Sequence, residues 1–270
     1  MLISYYRFLF SQSSFLHAVQ QEFLPNEISN LLQMYEVNSQ FLFHNKKLIN
    51  QVGYVIRYNE SFLKVNELIN REVIGKIFNF KSEMYGSTVQ ASTINESWRD
   101  DKNIGGGCIT EFASHAIDLA LFCFGKPIKI IGSAVQKVFS KNTEDIMTTT
   151  FIYENNLIGT ITANWCDSSY RKPSNKLTIF GEKGSIIADK FSVKIYLKYN
   201  NEEMNLSEGW NTLYLTEIFK PVNFYLRGNE YSRQLESFIN SINDESKFIG
   251  PSFRESYEVD LAINKIIEDS

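Results

Sequence analysis

The stretch IKIIGSAVQKVFSKNTEDIMTTTFIYENNLIGTITANW, residues 128–165, decides the fold. Apolar and polar residues follow a period near two in three successive runs, at 128–139, 145–154 and 157–165. A strand buried on one face requires that alternation. Asn155-Asn156, between the last two runs, is tight-turn chemistry,. The pattern continues in KLTIFG (176–181), SIIAD (185–189) and VKIYLKY (193–199), with turn residues at Glu182-Lys183-Gly184 and Asn200-Asn201. Connections this short predict sequential hairpins and an antiparallel meander, because a parallel crossover needs a dozen or more residues.

Upstream of Pro127 the period changes. VGYVIRY (52–58) predicts a buried strand, and Asn59 a helix cap. The helix runs to about Arg71, with Phe62, Val65, Leu68 and Ile69 on one stripe,. Gly75 ends it, and IFNFKSEMY (77–85) returns as an alternating strand. Residues 86–104 form a long polar connection, a place where function often sits,. Gly105-Gly106-Gly107 then opens an apolar helix from about Thr110 to Phe124, stopped by Gly125 and Pro127,. Further helices are predicted at 27–38, at 229–242, and after the capping box Ser252-Phe253-Arg254-Glu255,. The fold class is therefore α+β: a large, mainly antiparallel open sheet with helices packed on one face.

The 270 residues are 43% hydrophobic, 14% aromatic and 21% charged, with a net charge of −4. That composition excludes a disordered chain and offers no basic excess for nucleic acid. Cys108, Cys123 and Cys166 have neither disulfide nor zinc spacing and fit free thiols in a reducing, cytoplasmic setting,. No uninterrupted apolar run is long enough to predict a membrane span,. The apolar start, MLISYYRFLF, has no basic lead and carries Arg7, so a secretory signal is not expected,.

Glu111, His115 and Asp118, spaced four and three along the predicted helix, share a face,. An imidazole between two carboxylates suits general acid–base work, with its titration drawn to neutral pH or above. The preceding glycines would let a substrate or another backbone reach the positive helix end. Two other readings stand beside this one: a solvated polar face, and a metal site of one imidazole and two carboxylates. Without a second nearby histidine or a cysteine pair, no metal is expected. The glycine run is not the G-x-G-x-x-G of a dinucleotide turn, and the first glycine of the chain is Gly53,. Neither a phosphate loop nor a G-x-S-x-G elbow occurs,.

These segments together resemble the C-terminal domain of the glucose–fructose oxidoreductase / inositol dehydrogenase (Gfo/Idh/MocA) family. The resemblance lies in the R-Y-N strand end and I-G-K-I turn of residues 56–77, in GGGCITEFASHAIDLALFCFG (105–125), in GEKGSI (181–186) and in FYLRGNEYSRQLESFINSI (224–242). It covers about residues 52–270. It implies NAD- or NADP-dependent oxidation or reduction of a sugar, sugar nucleotide or cyclitol, in a homo-oligomer formed through the open sheet face, with no nucleic-acid or membrane partner. It also implies that His115 exchanges the proton, with Glu111 in the place usually held by aspartate. Asp118, Arg99, Trp98 and Asn59 would contact substrate. The family's Rossmann domain is mostly missing from this sequence, and residues 1–51 resemble its remnant. The expected consequence is an activity that is impaired or dependent on a partner. The alternative is a non-catalytic sugar-nucleotide-binding or oligomer-forming module.

Overall fold

The computed structural model describes residues 49–90, 97–244 and 249–270. The helix expected at 27–38, and nearly all of the remnant expected at 1–51, lie outside them.

The described chain opens on a turn where a strand was expected. Val52 N–H donates to the Pro251 carbonyl at 3.0 Å, and the Tyr54 and Val55 amides donate back to Val52 and Gly53, each at 2.9 Å. The backbone of VGYVIRY thus satisfies itself locally, and Val55–Tyr58 forms a 3₁₀ turn. Its side chains are apolar because they are buried, and a short apolar run cannot by itself distinguish a buried turn from a buried strand. Asn59 caps as expected: its side-chain oxygen accepts from Ser61 N at 3.1 Å and starts α1 (Glu60–Asn70). The Phe62, Val65 and Leu68 stripe of α1 is fully buried.

Among the described residues eight strands follow: β1 (Ile77–Tyr85), β2 (Lys129–Gln136), β3 (Ile146–Ile152), β4 (Ile158–Asn164), β5 (Ser174–Gly181), β6 (Gly184–Asp189), β7 (Ser192–Leu197) and β8 (Gly209–Tyr214). They form one sheet in the order β2-β3-β4-β1-β5-β6-β7-β8. The expected meander exists as two antiparallel blocks, β2 to β4 and β5 to β8. Between them lies β1, antiparallel to β5 and parallel to β4. The crossover from β1 to β4 contains α2 (Ser114–Phe124) and the β2–β3 hairpin, ample length for the parallel pair,. Strand β8 was not expected: Trp210, Thr212 and Tyr214 are exposed, and none of its residues is buried, so it lacks the apolar face that marks a strand in sequence.

The helices lie on one face. Among the described residues these are α1, α2, the short α3 (Leu215–Ile218), α4 (Asn229–Asn243) and α5 (Phe253–Asp269). Helix α2 crosses β1 and β4, α5 packs on β2 and α2, and α4 packs on the 3₁₀ turn. Phe80, Met147, Phe151, Ile161, Leu177 and Ile186 form the sheet's contribution to the core. Phe80 stacks on Phe124 with centroids 4.0 Å apart. It also explains Gly159 on the neighbouring strand, where a Cβ would come within 2.0 Å of the Phe80 ring,. By length and composition, Lys102–Phe124 would suffice to cross a membrane, but 67% of its most apolar window is buried, as suits the central core helix,.

Candidate active site at the start of helix α2

The polar connection before α2 is folded by its own side chains. Asp100 accepts from the amides of Lys141, Asn142 and Thr143 at 3.1, 2.7 and 3.0 Å, tying the 98–100 turn to the β2–β3 loop. The glycines let the chain pack against itself. Gly105 has φ 82°, and Gly106 N donates to the Asp101 carbonyl at 2.9 Å. A Cβ at Gly106 would lie 2.4 Å from the Arg99 carbonyl oxygen, and one at Gly107 would lie 2.4 Å from Glu144 Oε1. Glu144 also takes the helix entrance, since its Oε1 accepts from Ile109 N at 2.9 Å and its carbonyl from Cys108 N at 3.0 Å. Another backbone and a carboxylate therefore occupy the positive end of the helix. The glycines therefore provide no open cradle for a pyrophosphate.

Ile109–Ala113 is a π turn, and α2 starts at Ser114. The wider turn changes the alignment that α-helical spacing predicted. Glu111 points to the loop and pairs with Arg99: Nε–Oε2 is 2.8 Å and Nη2 donates to Oε1 at 2.9 Å. The Arg99 guanidinium lies over the Trp98 ring, 4.8 Å from its centroid. Trp98, Arg99 and Glu111 are thus brought together as one stacked, ion-paired group.

His115 is half-buried and does not share that pair. The Tyr54 ring meets it edge-on at 5.5 Å, and Nδ1 is buried with no hydrogen-bond partner among the described residues. Burial, seconded by the Lys190 ammonium, pushes its pKa down to about 4. The sequence expectation was the reverse, a titration drawn upwards by flanking carboxylates. It fails because Glu111 is engaged by Arg99 and Asp118 by Arg57. At neutral pH the imidazole is uncharged and can accept a proton. Its orphaned nitrogen carries an unmet desolvation cost that a bound hydroxyl would relieve.

Asp118 is fully buried. Arg57 Nε donates to Oδ1 and Oδ2 at 3.0 and 2.9 Å, and Nη2 to Oδ1 at 2.7 Å. Burial, only partly offset by the Arg57 guanidinium, leaves the carboxyl raised to about 6, so Asp118 is mostly ionised at pH 7,. Arg57 Nη1 also reaches Glu255 Oε1 at 2.9 Å. Asn59 is engaged at both ends of its amide, by Ser61 N and by the Lys190 carbonyl at 3.3 Å. Asp118 and Asn59 therefore stand behind the surface and hold elements in place, because the protein itself satisfies their polar atoms. A cleft of about 210 Å³, lined by Arg57, Leu121, Phe122, Lys126, Glu255 and Glu258, lies farther along α2 and contains none of the expected site residues. No cluster of three potential metal ligands occurs among the described residues.

Tyr54, Lys190 and Glu144 complete the site and were not singled out from sequence. Their neighbours are remote along the chain, so no local pattern marks them.

Residues 62–187 match the family model described as "GFO/IDH/MocA C-terminal domain". Mouse glucose-fructose oxidoreductase domain-containing protein 1 is 25% identical over 154 residues, which is 53% of this chain and 38% of the relative. The protein of the same name from Xenopus tropicalis is 29% identical over 101 residues, 37% of this chain and 25% of the relative. A structure of levoglucosan dehydrogenase with NADH and levoglucosan superposes with a TM-score of 0.71 at 19% identity, covering 83% of this chain and 64% of that one. A putative oxidoreductase from Thermotoga maritima gives a TM-score of 0.66 at 15% identity, covering 87% of this chain and 65% of that one. At such identities the structural likeness establishes the fold alone. The chain spans less than two thirds of the length of each of these relatives.

Proposed function

We propose that this chain is the substrate-binding and oligomerisation part of an NAD- or NADP-linked sugar oxidoreductase of the GFO/IDH/MocA family, a reading supported by the match of residues 62–187 to the model of that family's C-terminal domain. The substrate would be a sugar, sugar nucleotide or cyclitol, and residues 52–270 the domain that holds it. One observation carries the reading: a neutral histidine at the first turn of the central helix, with a buried, unpartnered nitrogen. His115 would take the proton of a reacting hydroxyl during oxidation and return it during reduction. Arg99, paired with Glu111 and stacked on Trp98, would present a fixed edge to the sugar hydroxyls. Asp118 and Asn59 would act through position, the first by fixing α2 and the second by fixing the β6–β7 turn.

The nicotinamide cofactor would be the hydride carrier, and carriers of this kind supply the chemistry that side chains cannot. The filled glycine run before α2 does not fit its pyrophosphate, so its binding unit would come from elsewhere in the polypeptide or from a partner. The second reading is a module that binds sugar nucleotides or forms oligomers without catalysis. It is favoured by the loss of Glu111 to Arg99, which leaves His115 with no carboxylate to orient it.

Titration with NADH and NADPH, followed by quenching of Trp98, Trp165 and Trp210, separates the two. Micromolar binding supports an oxidoreductase complete in this polypeptide, whereas no quenching at millimolar cofactor supports the module or an oxidoreductase whose nucleotide unit is a partner. Where turnover of a sugar is measurable, His115→Ala should abolish it with the melting temperature preserved. A variant with wild-type turnover would remove His115 from the chemistry.

A further inference from the structure

Two side chains with unmet hydrogen-bonding atoms stand at one end of the sheet's helical face. The first is His115. The second is Asn175 on β5, only 1% exposed, whose Oδ1 and Nδ2 are both buried and without a partner among the described residues. Asn175, Leu177 and Ile179 form the inner row of β5, alternating with the exposed Lys176 and Phe180,. Helix α2 lies over β1 and β4, and α1 over β6 and β7, so β5 runs beneath the seam between them. Leu177 and Ile179 fill that seam with apolar side chains, and Asn175 stands at its end.

The strand register sets the level of that end. Asn175 pairs with Met84 of β1, midway between Ser82 and Gly86. Ser82 Oγ donates to the Ala116 carbonyl at 2.9 Å, and a Cβ at Gly86 would lie 2.9 Å from the Phe112 ring. The turn of helix from Phe112 to Ala116 therefore spans Met84, with Asn175 one strand to its side. His115 lies on the flank of that turn that meets Tyr54. Tyr54 leads through the 3₁₀ turn into α1, so His115 looks across the seam, over β5. The start of α1 reaches the same end, because Asn59 Nδ2 donates to the carbonyl of Lys190, the residue after Asp189, and Asp189 pairs with Lys176.

A carboxamide offers an acceptor and two donors in one plane. Buried with none of them used, it is costly to keep, and an apolar side chain of the same shape would suit the inner row better. We propose that Asn175 is a substrate-binding residue of the His115 site, where its carboxamide holds a hydroxyl on the carbon next to the one that reacts. The inference rests on the reading that His115 takes up a sugar or cyclitol, and it adds the residue that orients that molecule. The imidazole accepts from the reacting hydroxyl, and the amide bonds its neighbour. A single contact leaves the ring free to pivot, whereas two fix which hydroxyl meets the imidazole. An analogue lacking the neighbouring hydroxyl would leave the amide as unsatisfied as it is in the free protein.

NMR of the full chain, titrated with glucose and with myo-inositol, reads both side chains at once. At saturation the Asn175 side-chain amide signals and the His115 ring signals should shift together. A shifted His115 beside an unmoved Asn175 amide overturns the inference and leaves the His115 site standing. An unmoved His115 with both sugars overturns the site reading and the inference with it. Calorimetry then tests selection. Glucose should bind at least about tenfold tighter than 2-deoxyglucose or 3-deoxyglucose, and Asn175→Leu should remove that difference by weakening glucose alone. A difference that survives Asn175→Leu overturns the inference. The same variant should melt about 2–4 °C higher than the wild type, since it removes two buried polar atoms that the fold leaves unsatisfied. An amide that serves only the fold would lower the melting temperature instead.

Discussion

A histidine serves as a base only while it is uncharged, and the surroundings of His115 keep it so. Burial and Lys190 both disfavour the imidazolium, taking the pKa to about 4, against about 6.5 for an unperturbed ring,. The folded state therefore binds fewer protons than the unfolded chain between those two values. Stability contributed by this residue is present above pH 6.5 and is lost as pH falls towards 4. Between pH 7 and pH 5 the loss amounts to about 2 kcal/mol. Urea unfolding of His115→Phe at the two pH values should show a correspondingly smaller loss than the wild type. An identical loss in both proteins would mean that His115 titrates normally. The placement of the candidate residues was partly legible at this scale: Glu111, His115 and Asp118 do lie along one helical stretch, and Arg99 does meet it at Glu111. Their partners were not legible. The π turn that diverts Glu111 has no sequence signature, and Arg57, which satisfies Asp118, lies 61 residues away.

Arg57 links three elements. Its guanidinium holds Asp118 on α2 and Glu255 in the capping box of α5, while the residue itself belongs to the 3₁₀ turn beneath α4. The ring of Phe122 lies 5.1 Å from it. Removing one member leaves a buried charge without its partner, which costs more than the pair's net contribution. Asp118→Leu and Arg57→Met should each destabilise the fold by about 3–5 kcal/mol, and the double variant Arg57→Met/Asp118→Leu should recover part of that loss. Chemical denaturation of the wild type and the three variants forms the cycle, and strict additivity would show that the residues do not act as a pair. The elements were mostly legible because each carries its period within itself: two for the hairpin strands, 3.6 for the helices, and a cap at Asn59 and Ser252. What failed depended on distant packing. The 52–58 run looks like a strand until Pro251 and its own carbonyls take its amides. The place of β1 beside β4 is set by a crossover that no local pattern encodes.

The helices cover one face of the sheet, and across the described residues the other face is open. The register aligns Phe180, Ser185, Tyr196 and Trp210 in one row on β5 to β8. Phe78 on β1 joins Phe180 with ring centroids 5.9 Å apart, and Tyr196 meets Trp210 at 5.5 Å. Phe180 and Trp210 remain 53% and 60% exposed, so the row buries little of its own area. Aromatic residues ordered by strand pairing and flanked by threonines make a flat, rigid surface, the kind that becomes the apolar centre of a symmetric interface. A stable dimer buries roughly 800 Å² per subunit, well within what one face of an eight-stranded sheet can supply,. Light scattering at tens of micromolar should therefore report an oligomer. Phe180→Asp places a charge within the row, where it faces solvent in the monomer and would be desolvated only in the assembly. It should weaken association by at least about tenfold while leaving the melting temperature of the dissociated chain unchanged. A wild-type protein that scatters as a monomer would remove the sheet face from the argument. An oligomer that survives Phe180→Asp would move the interface to the helical side or to the β8 edge, whose outer side pairs with no strand among the described residues,.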